Sequence, residues 1–211
     1  MAMKISVAPE GWPFILPTAG AALVVAALGW WPFGVALGFL AIVFGLFFRD
    51  PERRHPEGPG AILAPADGRV MEVRPGVTDR FVGNGTRVSI FLSPLDVHVN
   101  RSPISGLVTD VEYRRGKFLP AYRAGASEEN ERCSVMLQGE AFRVTVRQIA
   151  GVLARRVVCR VRPGEKLQAG ERFGLIRFGS RVDLFLPCDV RVSVRIGDRV
   201  RGGESVIGVM G

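Results

Sequence analysis

The chain has 211 residues, which suits one modest domain with an appendage, and 47% of the residues are hydrophobic. Its three cysteines, Cys133, Cys159 and Cys188, form no C-x-x-C pair, which argues against a zinc site and a disulfide framework and favours a reducing compartment. The formal net charge of +8 favours a polyanionic partner, either an anionic membrane surface or a nucleic acid, and the alternative is a genome-wide preference for Arg over Lys.

The first predicted element is a hydrophobic, membrane-associating segment, residues 1–48, because no charged residue occurs between Glu10 and Arg49. The sequence Gly29-Trp30-Trp31-Pro32 divides this segment into two halves. A membrane-crossing helix needs about 20 apolar residues, so the length of each half is marginal. The pattern predicts a helical hairpin that either spans the bilayer or only inserts into it. A cleaved signal peptide fits poorly because the apolar run is too long. A hairpin buried in a protein core is the remaining alternative.

A basic linker, residues 49–60, follows and carries Arg49, Arg53, Arg54 and His55 before a run of prolines and glycines. Positive residues beside a membrane segment mark its cytoplasmic side. We therefore expect the chain at the cell membrane, with the following domain on the cytoplasmic side.

The remainder, residues 61–211, alternates short β-branched runs with turn residues and predicts a mainly β domain. The runs that predict strands are Arg69–Val73, Arg87–Leu92, Leu107–Tyr113, Arg143–Ile149, Val157–Val161 and Arg181–Leu186. Polar residues at every second position, as in Phe142–Arg147, favour a sheet with one face in water.

Two Gly/Asp turns flanked by valines, Ala64–Val70 and Ile196–Glu204, are typical of barrel-sandwich hybrids. This likeness concerns the fold and carries no function. A lipoyl or biotinyl carrier is disfavoured because its hairpin turn needs a lysine, and Pro187-Cys188-Asp189 offers none.

Three local patterns occur in a characteristic order. They are Pro65-Ala66-Asp67-Gly68, then Phe91–Pro103 with His98 inside it, then Arg177-Phe178-Gly179-Ser180-Arg181. Together with Asn130-Glu131-Arg132 they resemble the phosphatidylserine decarboxylase family in its short form. The resemblance extends from about Phe48 to the C-terminus.

The resemblance implies a pyruvoyl-dependent enzyme that is made as a proenzyme. The matching bond is Gly179–Ser180, whose self-cleavage would give a β chain, residues 1–179, and an α chain, residues 180–211. Ser180 would become the covalent pyruvoyl cofactor. The implied reaction is decarboxylation of phosphatidylserine to phosphatidylethanolamine and CO₂ through a Schiff base with the pyruvoyl group. The phospholipid substrate suits the apolar N-terminus and the basic charge, and we expect a homo-oligomer on the same analogy.

The residues at the matching bond suit this chemistry. Gly179 leaves the carbonyl before Ser180 unshielded, and a serine hydroxyl needs a base to become a nucleophile. His98 is the candidate proton carrier in self-cleavage, decarboxylation or both, although a single histidine in a strand is usually structural. Asp67 matches the family's aspartate, which orients a histidine beside the serine. Its alternative role is to cap its own turn.

Arg101 occupies the position at which longer family members have a second histidine, and a guanidinium cannot act as a base. Either His98 does both tasks, or Asp67 and local strain suffice with a water. Arg101 and Arg181 are candidate contacts for the substrate phosphate or carboxylate, with ordinary surface arginines as the alternative. Asp96 either tunes His98 or caps the turn after Pro94.

Other functions remain open at this stage. A non-enzymatic, membrane-anchored barrel-sandwich binding module predicts an intact chain, whereas a decarboxylase of a related serine phospholipid such as archaetidylserine predicts the same cleavage. A nucleic-acid binder is least favoured, because about half of the phenylalanines lie in residues 1–48 and not beside the arginines. No metal site is predicted.

Overall fold

A computed structural model describes residues 5–56, 58, 60–123, 125–152, 156–177 and 180–211. The chain forms two compact units, Met1–Glu52 and Arg53–Gly211. The first is mainly helical and the second is mainly β, so the predicted fold class is confirmed.

The N-terminal unit is a helical hairpin with its two ends joined by a short sheet. Strand β1 (Ile5–Val7) pairs antiparallel with β2 (Arg49–Pro51). Between them lie a 3₁₀ turn (Pro9–Gly11), helix α1 (Trp12–Ala27) and helix α2 (Trp31–Phe47). Each α-helix has a proline in its first turn, where the missing N–H has no intrahelical acceptor to lose.

Small residues form the contact between the two helices. A Cβ atom added to Gly34 would lie 2.8 Å from the Ala26 Cβ and 3.0 Å from the Ala22 carbonyl oxygen. Such close backbone approach is characteristic of helix pairs in membranes. The helical stretch Pro9–Ala27 is long and apolar enough to cross a bilayer, and Trp31–Phe47 is a shorter apolar helix.

The second unit contains one short helix, α3 (Ala126–Glu129), and fourteen strands among its described residues. The strands are β3 (Ala61–Leu63), β4 (Gly68–Asp79), β5 (Gly83–Leu92), β6 (Val99–Arg101), β7 (Gly106–Arg114), β8 (Arg132–Gln138), β9 (Arg143–Ile149), β10 (Val157–Cys159), β11 (Lys166–Leu167), β12 (Arg172–Ile176), β13 (Ser180–Pro187), β14 (Val190–Val192), β15 (Arg199–Val200) and β16 (Val206–Met210).

The main sheet has eight strands in the order β11-β7-β8-β9-β13-β5-β4-β15 and is curled into a half barrel. Two three-stranded sheets, β10-β12-β6 and β14-β16-β3, complete the unit. All of these pairings are antiparallel. Strand β13 is central, because it is hydrogen-bonded to β5 on one side and to β9 on the other.

Alternate residues of the central strands form the hydrophobic core, among them Val182, Leu184, Val146, Val88 and Ile90. The residues between them face the opposite side of the sheet. There Arg181, Asp183 and Thr145 are also fully buried. The prediction that the polar face lies in water is therefore wrong for β13 and for Thr145 of β9, whose polar side chains are buried. Arg143 at the start of β9 is exposed, as predicted.

Candidate active site

Ser180 is the first residue of β13 and lies opposite Leu92 of β5. It projects to the same face as Val182, which places its hydroxyl at the edge of the apolar core. The side chain is fully buried, and its Oγ has no hydrogen-bond partner among the described residues. Leaving a buried hydroxyl unsatisfied costs about 1–3 kcal/mol, so such a group requires an explanation. The predicted partner Gly179 lies outside the described residues.

His98 is buried just after the turn that follows β5. Its Nδ1 lies 2.9 Å from the Asp96 carbonyl oxygen. Because a carbonyl oxygen only accepts, Nδ1 carries a proton, and in the neutral form of the ring Nε2 would carry the lone pair. The His98 carbonyl accepts the Ile176 N–H at 3.3 Å. Ile176 is the last residue of β12 and precedes Ser180 by four residues, so His98 lies beside the segment that leads to Ser180.

Asp96 caps the turn with its side chain. Its Oδ2 accepts the Ser93 N–H at 2.8 Å, and its Oδ1 pairs with Arg199 at 3.0 Å. Its effect on His98 passes through its backbone carbonyl. Of the two roles considered for Asp96, the turn cap is the one its carboxylate performs.

Asp67 lies in the turn before β4 and is held by two donors. Its Oδ2 pairs with Arg53 Nη2 at 2.7 Å, and its Oδ1 accepts the Gly202 N–H at 2.8 Å. Burial raises the pKa of Asp67 above the ordinary aspartate value, while the Arg53 charge and the Gly202 hydrogen bond oppose the rise. The close approach of the chain at this turn requires Gly68, since a Cβ there would collide with the Phe91 carbonyl oxygen.

The sheet brings the predicted residues to one end of β5. Arg69 pairs with Phe91 from one side of that strand, and Arg181 pairs with Phe91 from the other. Ser180 immediately precedes Arg181, and Asp67 lies two residues before Arg69. With neighbouring strands about 4.8 Å apart, the backbones of Arg69 and Arg181 are separated by roughly 10 Å. The 93–98 segment that follows β5 places His98 at the same end.

Comparison with known proteins identifies the family. A family model described as phosphatidylserine decarboxylase matches residues 40–208. The chain belongs to the phosphatidylserine decarboxylase family. The phosphatidylserine decarboxylase proenzyme of Symbiobacterium thermophilum is 49% identical over 207 residues, which cover 96% of this chain and 94% of the relative. That of Saccharopolyspora erythraea is 48% identical over 204 residues, which cover 94% and 86%.

Arg101 of this family member is buried beside the Asp67 turn. Its N–H donates to the Pro65 carbonyl at 2.9 Å, and its Nη1 donates to the Gly170 carbonyl at 3.1 Å. Its side chain also contacts Gly203, where a Cβ would lie 2.9 Å from the Arg101 Cδ. Arg101 thus braces the turns around Asp67, and substrate binding by this residue stays a prediction.

Arg181 points away from Ser180, because adjacent residues of a strand face opposite sides of the sheet. Its Nε donates to Asp183 at 2.6 Å, and its Nη2 donates to Ser89 at 2.8 Å and to Glu72 at 3.2 Å. Asp183 in turn accepts the Ser127 hydroxyl at 2.5 Å. The guanidinium is engaged within the protein, and its predicted contact with substrate stays a prediction.

Sequence reasoning missed Arg53 and the amide pair of Asn100 and Gln148. Arg53 carries no signal in the sequence that separates it from Arg54. Gln148 Nε2 donates to Asn100 Oδ1 at 2.8 Å, and both side chains are fully buried in the space between β9 and β6. Asn100 follows His98 by two residues within the family-like segment, and that position is the only signal that could have drawn attention to it.

Proposed function

We propose that the chain is a proenzyme that cleaves itself between Gly179 and Ser180 and then decarboxylates phosphatidylserine to phosphatidylethanolamine. The relatives are named as proenzymes of this decarboxylase. The observation that carries the proposal is the buried Ser180 hydroxyl, which has no hydrogen-bond partner among the described residues and begins a central strand.

In the proposed self-cleavage the Ser180 hydroxyl attacks the carbonyl carbon of residue 179. The peptide C–N bond breaks, an ester forms, and the nitrogen of residue 180 becomes an amine. Removal of the Cα proton of residue 180 then expels the carboxylate of residue 179 by β-elimination and leaves dehydroalanine. One water hydrolyses this species to the pyruvoyl group and releases ammonia. The sum consumes one water and forms one ammonia.

His98 and Asp67 are the proposed proton-handling groups. The lone pair on Nε2 of His98 makes this ring the base for the Ser180 proton, and the hydrogen bond from Nδ1 to the Asp96 carbonyl fixes the ring orientation. Asp67 supplies a fixed negative charge at the same sheet end. The pH dependence of self-cleavage should therefore report on both groups.

Residue 180 suits a covalent cofactor because it is held within a strand bonded on both sides. The pyruvoyl ketone would supply an electrophile for the serine amine of the lipid. It would also delocalise the electron pair that stays on the serine α-carbon when CO₂ leaves. Ser180 is fully buried in the uncleaved chain. The cofactor-bearing piece, residues 180–211, would stay in place through β13 and its neighbours.

Membrane attachment by the N-terminal unit supports a lipid substrate. At 1.5 Å per residue, the 19-residue stretch Pro9–Ala27 extends over about 28 Å, close to the roughly 30 Å of a bilayer core. We propose that this hairpin inserts into the cell membrane, with the β unit on the cytoplasmic side against anionic phospholipid. The sequence divides the chain into residues 1–48, 49–60 and 61–211, and this division stays a prediction. The structure divides the chain into two compact units after Glu52.

Intact-mass measurement of the wild type and a Ser180→Ala variant tests the proposal, with Ser193→Ala as a control for loss of a serine hydroxyl outside the site. We expect the wild type and Ser193→Ala to be cleaved after residue 179. The small chain should give no signal in stepwise N-terminal sequencing, because a pyruvoyl group has no free amine. Ser180→Ala should remain a single 22.9 kDa chain.

Release of CO₂ from carboxyl-labelled phosphatidylserine in mixed micelles should follow cleavage across these three proteins. Archaetidylserine, tested in parallel, distinguishes the related lipid as the natural substrate. A folded, membrane-bound wild type that stays whole would contradict the proposal and favour the membrane-anchored binding module.

A further inference from the structure

Arg53 is buried although it lies in the stretch that the sequence predicts to be a solvated linker. Its side chain is 8% exposed and bridges two carboxylates. Nη2 lies 2.7 Å from Asp67 and Nη1 lies 3.1 Å from Glu204. The planar fork of an arginine fixes both carboxylates at once, which a lysine cannot do.

The neighbouring arginine shows that this contact is particular to one position. Arg54 is exposed, whereas the side chain of Arg53 packs into the β unit. The two residues have the same charge and are adjacent in the sequence. Arg54 therefore serves as a natural control for every electrostatic effect that does not require contact with Asp67.

The surroundings of Asp67 make the Arg53 charge important. Burial is the main influence on this carboxyl and favours its neutral form, and the nearby Asp96 acts in the same direction. Arg53 and the Gly202 N–H favour the charged form. Of the other charged groups around this turn, Glu204 shares the Arg53 guanidinium and also faces Arg201, while Arg101 donates its N–H to the Pro65 carbonyl.

We infer that Arg53 is a positioning residue for self-cleavage, which keeps the Asp67 carboxylate charged and oriented at the Ser180 end of the sheet. The inference rests on the proposed function. Because Arg53 belongs to residues 1–179 and Glu204 and Gly202 to residues 180–211, the same contacts join the two products after cleavage.

The sign of the pH effect follows from the charges. Without the Arg53 cation the charged form of Asp67 is less favoured, so its pKa rises further and a smaller fraction is ionised at a given acidic pH. Raising the pH restores the ionised form. A variant without the cation should therefore lose cleavage at a higher pH than the wild type as the buffer is made more acidic, and recover as the pH rises. Loss of a purely structural contact would slow cleavage by the same factor at every pH.

The test follows self-cleavage of the full chain after brief cell-free synthesis and transfer to buffers between about pH 4 and about pH 9. Wild type, Arg53→Met, Arg53→Lys and Arg54→Met are compared by denaturing gel. We expect the pH of half-maximal cleavage to be about one unit higher in Arg53→Met than in the wild type, so that the variant is about tenfold slower on the acidic side of the profile and approaches the wild type at the alkaline end. Arg54→Met should follow the wild type throughout.

Arg53→Lys keeps the charge and loses the fork, so it should retain the wild-type pH midpoint with a lower maximal rate. An Arg53→Lys midpoint about one unit above that of the wild type would overturn the electrostatic role, and this comparison does not require Arg53→Met to fold. Equal slowing of Arg53→Met at every pH, or no slowing, would also overturn the inference. Failure of the folded wild type to cleave would instead overturn the proposed function.

Discussion

The two units of this chain differ in where they place apolar and charged side chains. Helices α1 and α2 contain no charged residue, and they expose large apolar side chains such as Leu23 at 74% and Phe39 at 68%. The β unit buries Arg101, Arg181 and Asp183. Globular proteins in water normally bury apolar groups and expose charged ones.

The difference indicates that the two units meet different surroundings. Exposed apolar side chains on a helix pair are stable in lipid, where no water has to be ordered around them. Buried charges in the β unit are stable only because each has a partner, as Arg181 has in Asp183, Ser89 and Glu72. Substitutions that reverse either pattern test this comparison directly.

The largest effect on stability is expected from Arg181→Met in the β unit. The change leaves Asp183 charged in a fully buried position, and removal of one partner of a buried ion pair costs about 3–5 kcal/mol. The free energy of unfolding should fall by that amount in urea titrations followed by circular dichroism. These are made in detergent in the Ser180→Ala background, so that a single chain unfolds.

The matched control for this substitution is Arg54→Met, which removes an exposed arginine and should change the stability by less than about 0.5 kcal/mol. A second substitution, Asp183→Leu, should restore part of the loss by removing the unpaired charge. Equal stability of Arg181→Met and its parent would show that the buried network contributes nothing.

A charge placed on the hairpin tests the other half of the comparison. Phe39→Lys puts an ammonium group near the middle of α2, which costs about 2.5–3.5 kcal/mol in a membrane-inserted helix. Flotation with phospholipid vesicles should show membrane binding weakened about 70-fold or more. Ile196→Lys alters a side chain that is 66% exposed in the β unit and should float like the wild type. Equal flotation of both variants would exclude the hairpin as the membrane anchor.

A smaller effect is expected inside the helix contact. Gly34→Leu forces a side chain into the space that Ala22 and Ala26 occupy, and overpacking typically costs about 1–3 kcal/mol. The helical circular dichroism signal in detergent should melt at a lower temperature. Gly38→Leu, at a glycine with no other atom within 4 Å of an added Cβ, should not lower it. The same melting temperature for both variants would contradict close packing at Gly34.

The strands could be predicted where alternation was regular. The predicted strand Arg143–Ile149 coincides with β9, and Arg87–Leu92 lies within β5. Strand β4 was predicted to end at Val73, yet it continues to Asp79 through Pro75 and Gly76. Irregular register between Pro75 and Val77 accommodates these turn-forming residues within the strand.

Alternation shows which residues share a face and not what covers that face. The pattern around Arg147 correctly separates core from polar positions, but the polar side is covered by other side chains. Arg147 itself lies over the Phe185 ring at 4.7 Å and faces Asp79 at 3.8 Å. Such contacts join strands distant in sequence, so no local pattern contains them.

The same limit applies to the candidate site. Ser180, His98 and Asp67 could be proposed as site residues from the sequence because each lies in a short pattern shared with a family, and their roles stay predictions. Arg53 was not, because its difference from Arg54 arises only when the chain folds over the Asp67 turn. A charge in a linker-like sequence can therefore be part of a site when a buried carboxylate lies within reach.

The position of residue 180 in the central strand has a consequence for how a cell would manage this enzyme. Residues 180–211 contribute β13 and β15 to the main sheet and β14 and β16 to a second sheet, so the small chain is interleaved with the large one. Under the proposed self-cleavage, a damaged prosthetic group could not be exchanged for a fresh one. Each protein molecule would have a single catalytic lifetime, and the capacity for lipid synthesis would depend on protein turnover and not on a vitamin supply.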